Sequence, residues 1–261
     1  MAEDSAARPF YTVLVLAFFC SALVAGAAVG LRPLQEANRV IDRQKHILYA
    51  SGLYDPGKTI AEMFTPIETR VVELATGEFV PEDTIQPETY QQTKAALSED
   101  RGREMNKDED IANLRRQEKF SLVYLVMDGD DISQIVLPVR GKGLWSTMYA
   151  YVAIDKDLTT IQGVSFYEHG ETPGLGGEIE NPDWQDKWQG KKVYNEEGEV
   201  GLEFAKGEAA TQEPDRFYQI DGLSGATLTT KGVEKTMEFW FGDHGFKPFL
   251  QQLKNKGLVN R

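Results

Sequence analysis

Residues 221 to 232 read D-G-L-S-G-A-T-L-T-T-K-G, which sets three glycines and four hydroxyl side chains beside a lysine. The stretch joins an extended run to an amphipathic one. Hydroxyls at such a junction either cap a helix or meet an anion, by hydrogen bonding or as the oxygen of an ester. A helix start suits a phosphate because its leading N–H groups are unpaired and carry the positive end of the helix dipole. In that arrangement Ser224 donates a hydrogen bond, Gly225 lets the backbone approach, and Lys231 offsets charge. Thr229 and Thr230 fit the capping role for a helix that begins near them. Thr227 precedes that start by a couple of residues, which makes it a poorer cap.

Two further stretches have residue types suited to a planar ligand. G-K-G-L-W-S-T-M-Y, residues 141 to 149, is either a hairpin turn with a buried tryptophan or a flexible approach to a flat ring. In the second case Trp145, followed by Ser146, is the stacking surface and Lys142 a nearby cation. H-G-E-T-P-G-L-G-G-E-I-E-N-P, residues 169 to 182, has Gly or Pro at five of its first nine positions. It is either a long surface turn or a loop, centred on Thr172, Gly174 and Leu175, whose backbone reaches a heterocycle's polar edge.

Other chemistries are poorly supported. There is no G-x-x-x-x-G-K-[ST] and no G-x-G-x-x-G between a strand and a helix, so neither nucleotide fingerprint is present. The single cysteine, Cys20, excludes an intrachain disulfide or thiolate cluster. The histidines, His46, His169 and His244, lie at no zinc-like spacing. A formal charge of −13 argues against nucleic acid as a partner. Redox chemistry in this chain therefore requires an organic cofactor.

The elements that position these stretches follow from periodicity. Between Arg8 and Arg32 there is no charged residue, enough for one bilayer-crossing helix over residues 11–31. A cleaved signal peptide is the competitor, but the preceding segment is a poor basic leader and the apolar run is long. Basic residues after the run, read by the positive-inside rule alone, put the large domain in the cytoplasm. A helix ending near Gly52, a short helix, and a strand near Arg70–Leu74 are expected next, then a charged surface excursion from Glu82 to Lys119. From Phe120 the chain is β-rich. Trp184 and Trp188 share one face of a helical turn, and Val233, Met237, Trp240 and Phe241 mark a buried helical stripe. The expected fold is α+β: a β-rich domain with flanking helices and one N-terminal transmembrane helix. Its divisions are a cytoplasmic N-terminus (1–10), the anchor (11–31), a juxtamembrane helix with the first part of the soluble domain (32–118), and a ligand-binding core (119–261).

D-G-L-S-G-A-T, with Ala226 before its final threonine, resembles the flavinylation motif of FMN-binding domains. The longer pattern includes G-K-G-L-W-S-T-M-Y-A-Y-V-A-I, Y-E-H-G-E-T-P-G-L-G-G-E-I and S-G-A-T-L-T-T-K-G-V. Over nearly the whole chain it resembles the C subunit of the Na⁺-translocating NADH:quinone oxidoreductase. The resemblance implies covalent FMN, esterified through its phosphate to Thr227; the placement of tryptophan, glycines and hydroxyls then makes Trp145, Ser146, Thr172, Gly174, Leu175, Ser224, Gly225 and Ala226 its expected neighbours. It also implies attachment by a flavin transferase and a place in a six-subunit membrane complex. That complex couples NADH oxidation and ubiquinone reduction to sodium export. The domain is then periplasmic on a single-pass inner-membrane anchor, against the simple charge reading. Three alternatives share the features: the G subunit of the related ion-motive ferredoxin:NAD oxidoreductase, an anchored periplasmic ligand-binding or sensory module, and an assembly protein whose S-G-A-T is a capped turn.

Overall fold

The computed structural model describes residues 7–257. The expected cytoplasmic N-terminus, residues 1–10, lies outside these as far as position 6. The chain divides into two compact units between Gln44 and Lys45.

The first unit is the body of helix α1, Ala7–Ala50. Its apolar window has a mean hydropathy of 2.4 and none of it is buried, with Phe10, Tyr11, Phe18 and Phe19 all exposed. A helix that is apolar on every side needs an apolar solvent, and its length suffices for a bilayer. The last turn of α1 belongs to the second unit, where Ile47, Leu48 and Ala50 are fully buried.

The second unit continues with α2 (Ile60–Phe64), β1 (Ile67–Glu73), β2 (Phe79–Val80), α3 (Gln92–Leu97), β3 (Gly102–Glu104) and β4 (Arg116–Glu118). Four long strands follow: β5 (Phe120–Asp128), β6 (Asp131–Lys142), β7 (Thr147–Asp155) and β8 (Ile161–Glu168). The chain closes with α4 (Pro182–Gln185), β9 (Glu203–Phe204), β10 (Gln219–Ile220), α5 (Thr227–Phe241) and α6 (Lys247–Lys256). One antiparallel sheet in the order β2-β1-β5-β6-β7-β8 forms the centre.

Both faces of this sheet are covered, which is why β5 to β7 read as continuous apolar runs. Alternate residues point to opposite faces. Val123, Leu125, Ile135, Leu137, Val152 and Ile154 join one core with Trp188, Met237 and Trp240. Leu122, Tyr124, Val136, Tyr151 and Ala153 join the other, with Ile47, Leu48 and Met63. Thr59 starts α2 with a reciprocal capping box to Glu62.

The expected stripe on α5 is present, since Val233, Met237, Trp240 and Phe241 are all buried. The rings of Trp184 and Trp188 meet edge to face at 5.4 Å. The stretch from Glu82 to Lys119 is more than a surface excursion. Its few apolar groups are committed inward at Ile85, Tyr90 and Ala112, and Glu118 is buried against Arg140. The charge density of this segment hides those contributions in the sequence.

Helix α5 lies close to the end of β6. A Cβ on Gly232 would come within 2.5 Å of the Lys142 carbonyl oxygen, so only glycine permits this approach. The Trp240 indole N–H donates to the Arg140 carbonyl at 2.7 Å. The Gly232 contact brings the first half of α5 to the β6–β7 turn, and the Trp240 bond fixes the far end of the helix on the same strand.

Candidate functional site

The three stretches singled out in the sequence converge. The β6–β7 turn holds residues 143–146, and its edge is joined to the second stretch where Gly170 N–H donates to Ser146 Oγ at 2.5 Å. The second stretch meets the third where a Cβ on Gly225 would touch Leu175 Cδ2 at 3.1 Å. Gly232 against Lys142 joins the third to the first.

In the third stretch the turn before α5 depends on Gly225, whose φ is +71°. That left-handed value costs glycine little and a β-branched residue a great deal. Helix α5 starts at Thr227, two residues earlier than expected, and Ala226 at its N-cap supplies no side-chain hydrogen bond. The capping roles expected for Thr229 and Thr230 are therefore incorrect. Both are inside the helix and buried. The Thr230 hydroxyl donates to Ala226 O at 3.1 Å and accepts from Leu223 N–H at 3.2 Å. Thr229 donates to Glu171. With no side-chain cap, the leading N–H groups of α5 are available to an acceptor from outside. Ser224, Gly225 and Thr227 are exposed there, and Ala226 is buried. Among the described residues Thr227 Oγ1 has no hydrogen-bond partner.

In the first stretch the alternative of a buried tryptophan is overturned: Trp145 is 65% exposed. Lys142 Nζ donates to the Trp145 carbonyl at 2.8 Å, so that lysine braces the turn. The second stretch is more ordered than a loose surface turn. Leu175 N–H and Gly177 N–H both donate to the Thr172 carbonyl, at 3.1 and 2.9 Å, and a 3₁₀ helix follows over Gly176–Glu180. Thr172, Gly174 and Leu175 are exposed. Leu144, Trp145, Leu175 and Leu228 are all exposed large apolar side chains on the converging segments.

Two residues of this region were missed in the sequence. Glu171 is 4% exposed and its carboxylate accepts four hydrogen bonds. Trp145 N–H and Ser146 N–H reach Oε1 at 2.9 and 3.1 Å; Leu144 N–H and the Thr229 hydroxyl reach Oε2 at 3.1 and 2.7 Å. Burial pushes its pKa up. The hydroxyl of Thr229 and the N–H groups of Trp145, Ser146 and Leu144 outweigh that, so the carboxyl is held below the usual range. The backbone N–H of Glu171 donates to His169 Nδ1 at 3.2 Å, which leaves the neutral ring's proton on Nε2. Asp221 is the second. It opens the third stretch, and its carboxylate is engaged outside that stretch, accepting from Lys187 Nζ at 2.6 Å and Ala209 N–H at 2.8 Å. Its spacing from the hydroxyls gave no sign of this bracing role.

A flavin mononucleotide fits what these residues offer. An exposed indole and leucines provide an apolar surface for a flat ring. An uncapped helix start with a free hydroxyl provides for the phosphate. The surface is open. Two cavities of about 270 and 250 Å³, one beside Asp131 and Lys156 and one beside Tyr194 and Lys247, contain no residue of the three stretches.

Comparison with known proteins gives the same ligand. Residues 143–242 match the family profile of the FMN-binding domain. The C subunit of the Na(+)-translocating NADH-quinone reductase of Yersinia pestis is 42% identical, over 99% of this chain and 97% of its own. Its counterpart from Vibrio alginolyticus is 44% identical, over 98% of each chain. The crystal structure of Shewanella oneidensis NqrC superposes with a TM-score of 0.75 at 34% identity, covering 82% of this chain and 97% of that one.

Proposed function

The chain belongs to the family of the Na(+)-translocating NADH-quinone reductase C subunits, and on that premise we propose that it carries FMN covalently, as a phosphoester of Thr227. The observation that carries the reading is the contrast among the hydroxyls of one short stretch. Thr229 and Thr230 are buried and engaged, whereas Thr227 is exposed at the first position of α5 with no partner among the described residues. Ser224 is also exposed, but it precedes the helix and is not the last residue of the S-G-A-T pattern.

When bound, FMN supplies a ring that accepts and releases electrons. The protein's own residues supply position. The leading N–H groups of α5 hold the phosphate, Ser224 donates to it, and Gly225 admits it close to the backbone. Lys231, exposed on the next turn, offsets its charge. Trp145 supports the ring, with Ser146, Thr172, Gly174, Leu175 and Ala226 around it. An open platform encloses a ligand poorly, so a covalent bond retains what non-covalent contact would lose to dilution.

In this reading the protein relays electrons within a six-subunit sodium-exporting complex that oxidises NADH and reduces ubiquinone. Residues 11–31 cross the inner membrane from a cytoplasmic N-terminus (1–10), and the rest, with its core at 119–261, is periplasmic. A flavin transferase attaches the cofactor. Denaturing gel electrophoresis of the chain, co-expressed with such a transferase, tests the proposal. A band fluorescing under ultraviolet light supports covalent flavin; a dark band at full protein loading contradicts it.

A further inference from the structure

We propose that Glu171 is the positioning residue of this site: its buried carboxylate fixes the Trp145 turn against the first turn of α5. The proposal deepens, and rests on, the reading of Trp145 and Thr227 as two ends of one FMN site.

The exposed turn is held in place from below. Residues 144–146 bridge β6 and β7 at the protein surface, and Trp145 itself packs little. Three consecutive N–H groups of that turn nevertheless converge on one carboxylate, an arrangement suited to an anion. The anion is supplied by the second stretch, and its remaining lone pair is taken by Thr229 Oγ1 at 2.7 Å. Thr229 lies two residues after Thr227, in the same helical turn. One side chain therefore links the residue that supports the ring to the helix turn that bears the ester oxygen.

The packing around the carboxylate makes the link stiff. A Cβ on Gly143 would come within 2.6 Å of Glu171 Oε1, and one on Gly176 within 2.4 Å of Thr229 Oγ1. Only glycine at 143 and 176 lets the backbone close in on the carboxylate and on the hydroxyl it accepts from. Hydrogen bonds to a charged acceptor are also about twice as strong as neutral ones. An amide in the place of the carboxylate keeps one oxygen and turns an NH₂ group toward donors. Some of the four bonds must then break. His169 extends the arrangement, because its Nδ1 accepts the Glu171 N–H and orients the residue from behind.

The test compares wild type, Glu171→Gln, Thr229→Val and Thr229→Ser as full-length protein in detergent. Before flavin attachment, amide hydrogen exchange is read at Leu144, Trp145 and Ser146. Glu171→Gln is expected to speed exchange at these three amides by about tenfold or more, while β5 to β8 change far less. After co-expression with a flavin transferase, peptide mass spectrometry gives the attached fraction, and absorbance and fluorescence report the ring's surroundings. Glu171→Gln is expected to keep the adduct and to shift the flavin absorbance and fluorescence away from those of wild type. Thr229→Val should shift them too with the three amides still protected, and Thr229→Ser, which keeps the hydroxyl, should restore them. Unchanged exchange at 144–146, or an unchanged flavin signal in an adduct-bearing Glu171→Gln, overturns the proposal. A uniform rise in exchange across the sheet also overturns it, since that marks a general stabilising role. If Glu171→Gln does not fold, the two Thr229 variants decide. A wild-type chain with no FMN adduct sinks the parent reading, which the exchange data alone do not touch.

Discussion

Arg140 sets both terminal guanidinium nitrogens on the Glu118 carboxylate, at 2.7 and 2.5 Å, with the side chains 8% and 0% exposed. The pair joins β4 to the end of β6, the strand that leads into the Trp145 turn. Burying two charges is costly, and only their mutual fit offsets the loss of water.

Removing one partner leaves the other charged and unpaired. Arg140→Leu is expected to destabilise the second unit by about 3–5 kcal/mol, the range for a broken buried pair. The Glu118→Leu/Arg140→Leu double variant should recover much of that loss, because no orphan charge remains. Chemical denaturation of the three proteins checks this. A double variant no more stable than the single one would contradict it.

Stability should fall in acid for a defined reason. The carboxyls of Glu171, Asp157 and Asp221 are each held below the usual range: burial opposes this, but their hydrogen-bond donors prevail. For Asp157 these donors are Thr160 and Thr159, and for Asp221 they are Lys187 and Ala209. A carboxyl with a lowered folded-state pKa stabilises the fold fully above its unfolded value, about 4. The contribution disappears as pH falls through the lower folded-state values. Thermal unfolding midpoints of wild type should therefore hold steady from pH 7 to about 5 and drop below about 4. In Glu171→Gln the drop should be shallower. An equal drop in both would remove Glu171 from the cause.

Asp221 braces the approach to the hydroxyls without touching them. Asp221→Asn weakens the Lys187 pairing and keeps an oxygen for Ala209 N–H. The expected result is a loss of about 1 kcal/mol and faster proteolysis between residues 205 and 222, with the FMN adduct still formed. Normal proteolysis combined with a missing adduct would instead assign Asp221 to recognition by the transferase.

The proposed orientation is tested in cells. Alkaline phosphatase fused at the C-terminus should be active if the large unit is periplasmic. A silent phosphatase beside an active cytoplasmic reporter at the same position would reverse the assignment and favour the simple charge reading.

Much of the scaffold was legible because it depends on periodicity. The α5 stripe, the two tryptophans and the strands from Phe120 onward are local patterns, and local patterns survive in a sequence. The three stretches that converge in the fold stand out in the sequence by their tryptophan, glycines and hydroxyls. What the sequence does not display is long-range. Glu171 reads as one acid in a glycine-rich run until folding delivers three N–H groups and Thr229 to it. Threonines are good caps, which points to a later start for α5, whereas the hydroxyls of Thr229 and Thr230 face inward. Glu118 was submerged in a charged segment, and only Arg140, distant in sequence, distinguishes it from its neighbours.

In the proposed site one oxygen, Thr227 Oγ1, holds the cofactor. Thr227→Val keeps the β-branched shape and removes that oxygen, and at an exposed position it should alter stability by less than about 1 kcal/mol. Peptide mass spectrometry after co-expression with a flavin transferase is the direct measurement. An FMN phosphoester is expected on the wild-type peptide at Thr227 and none in Thr227→Val. An adduct that maps to Ser224, Thr229 or Thr230, or that persists in Thr227→Val, would contradict it.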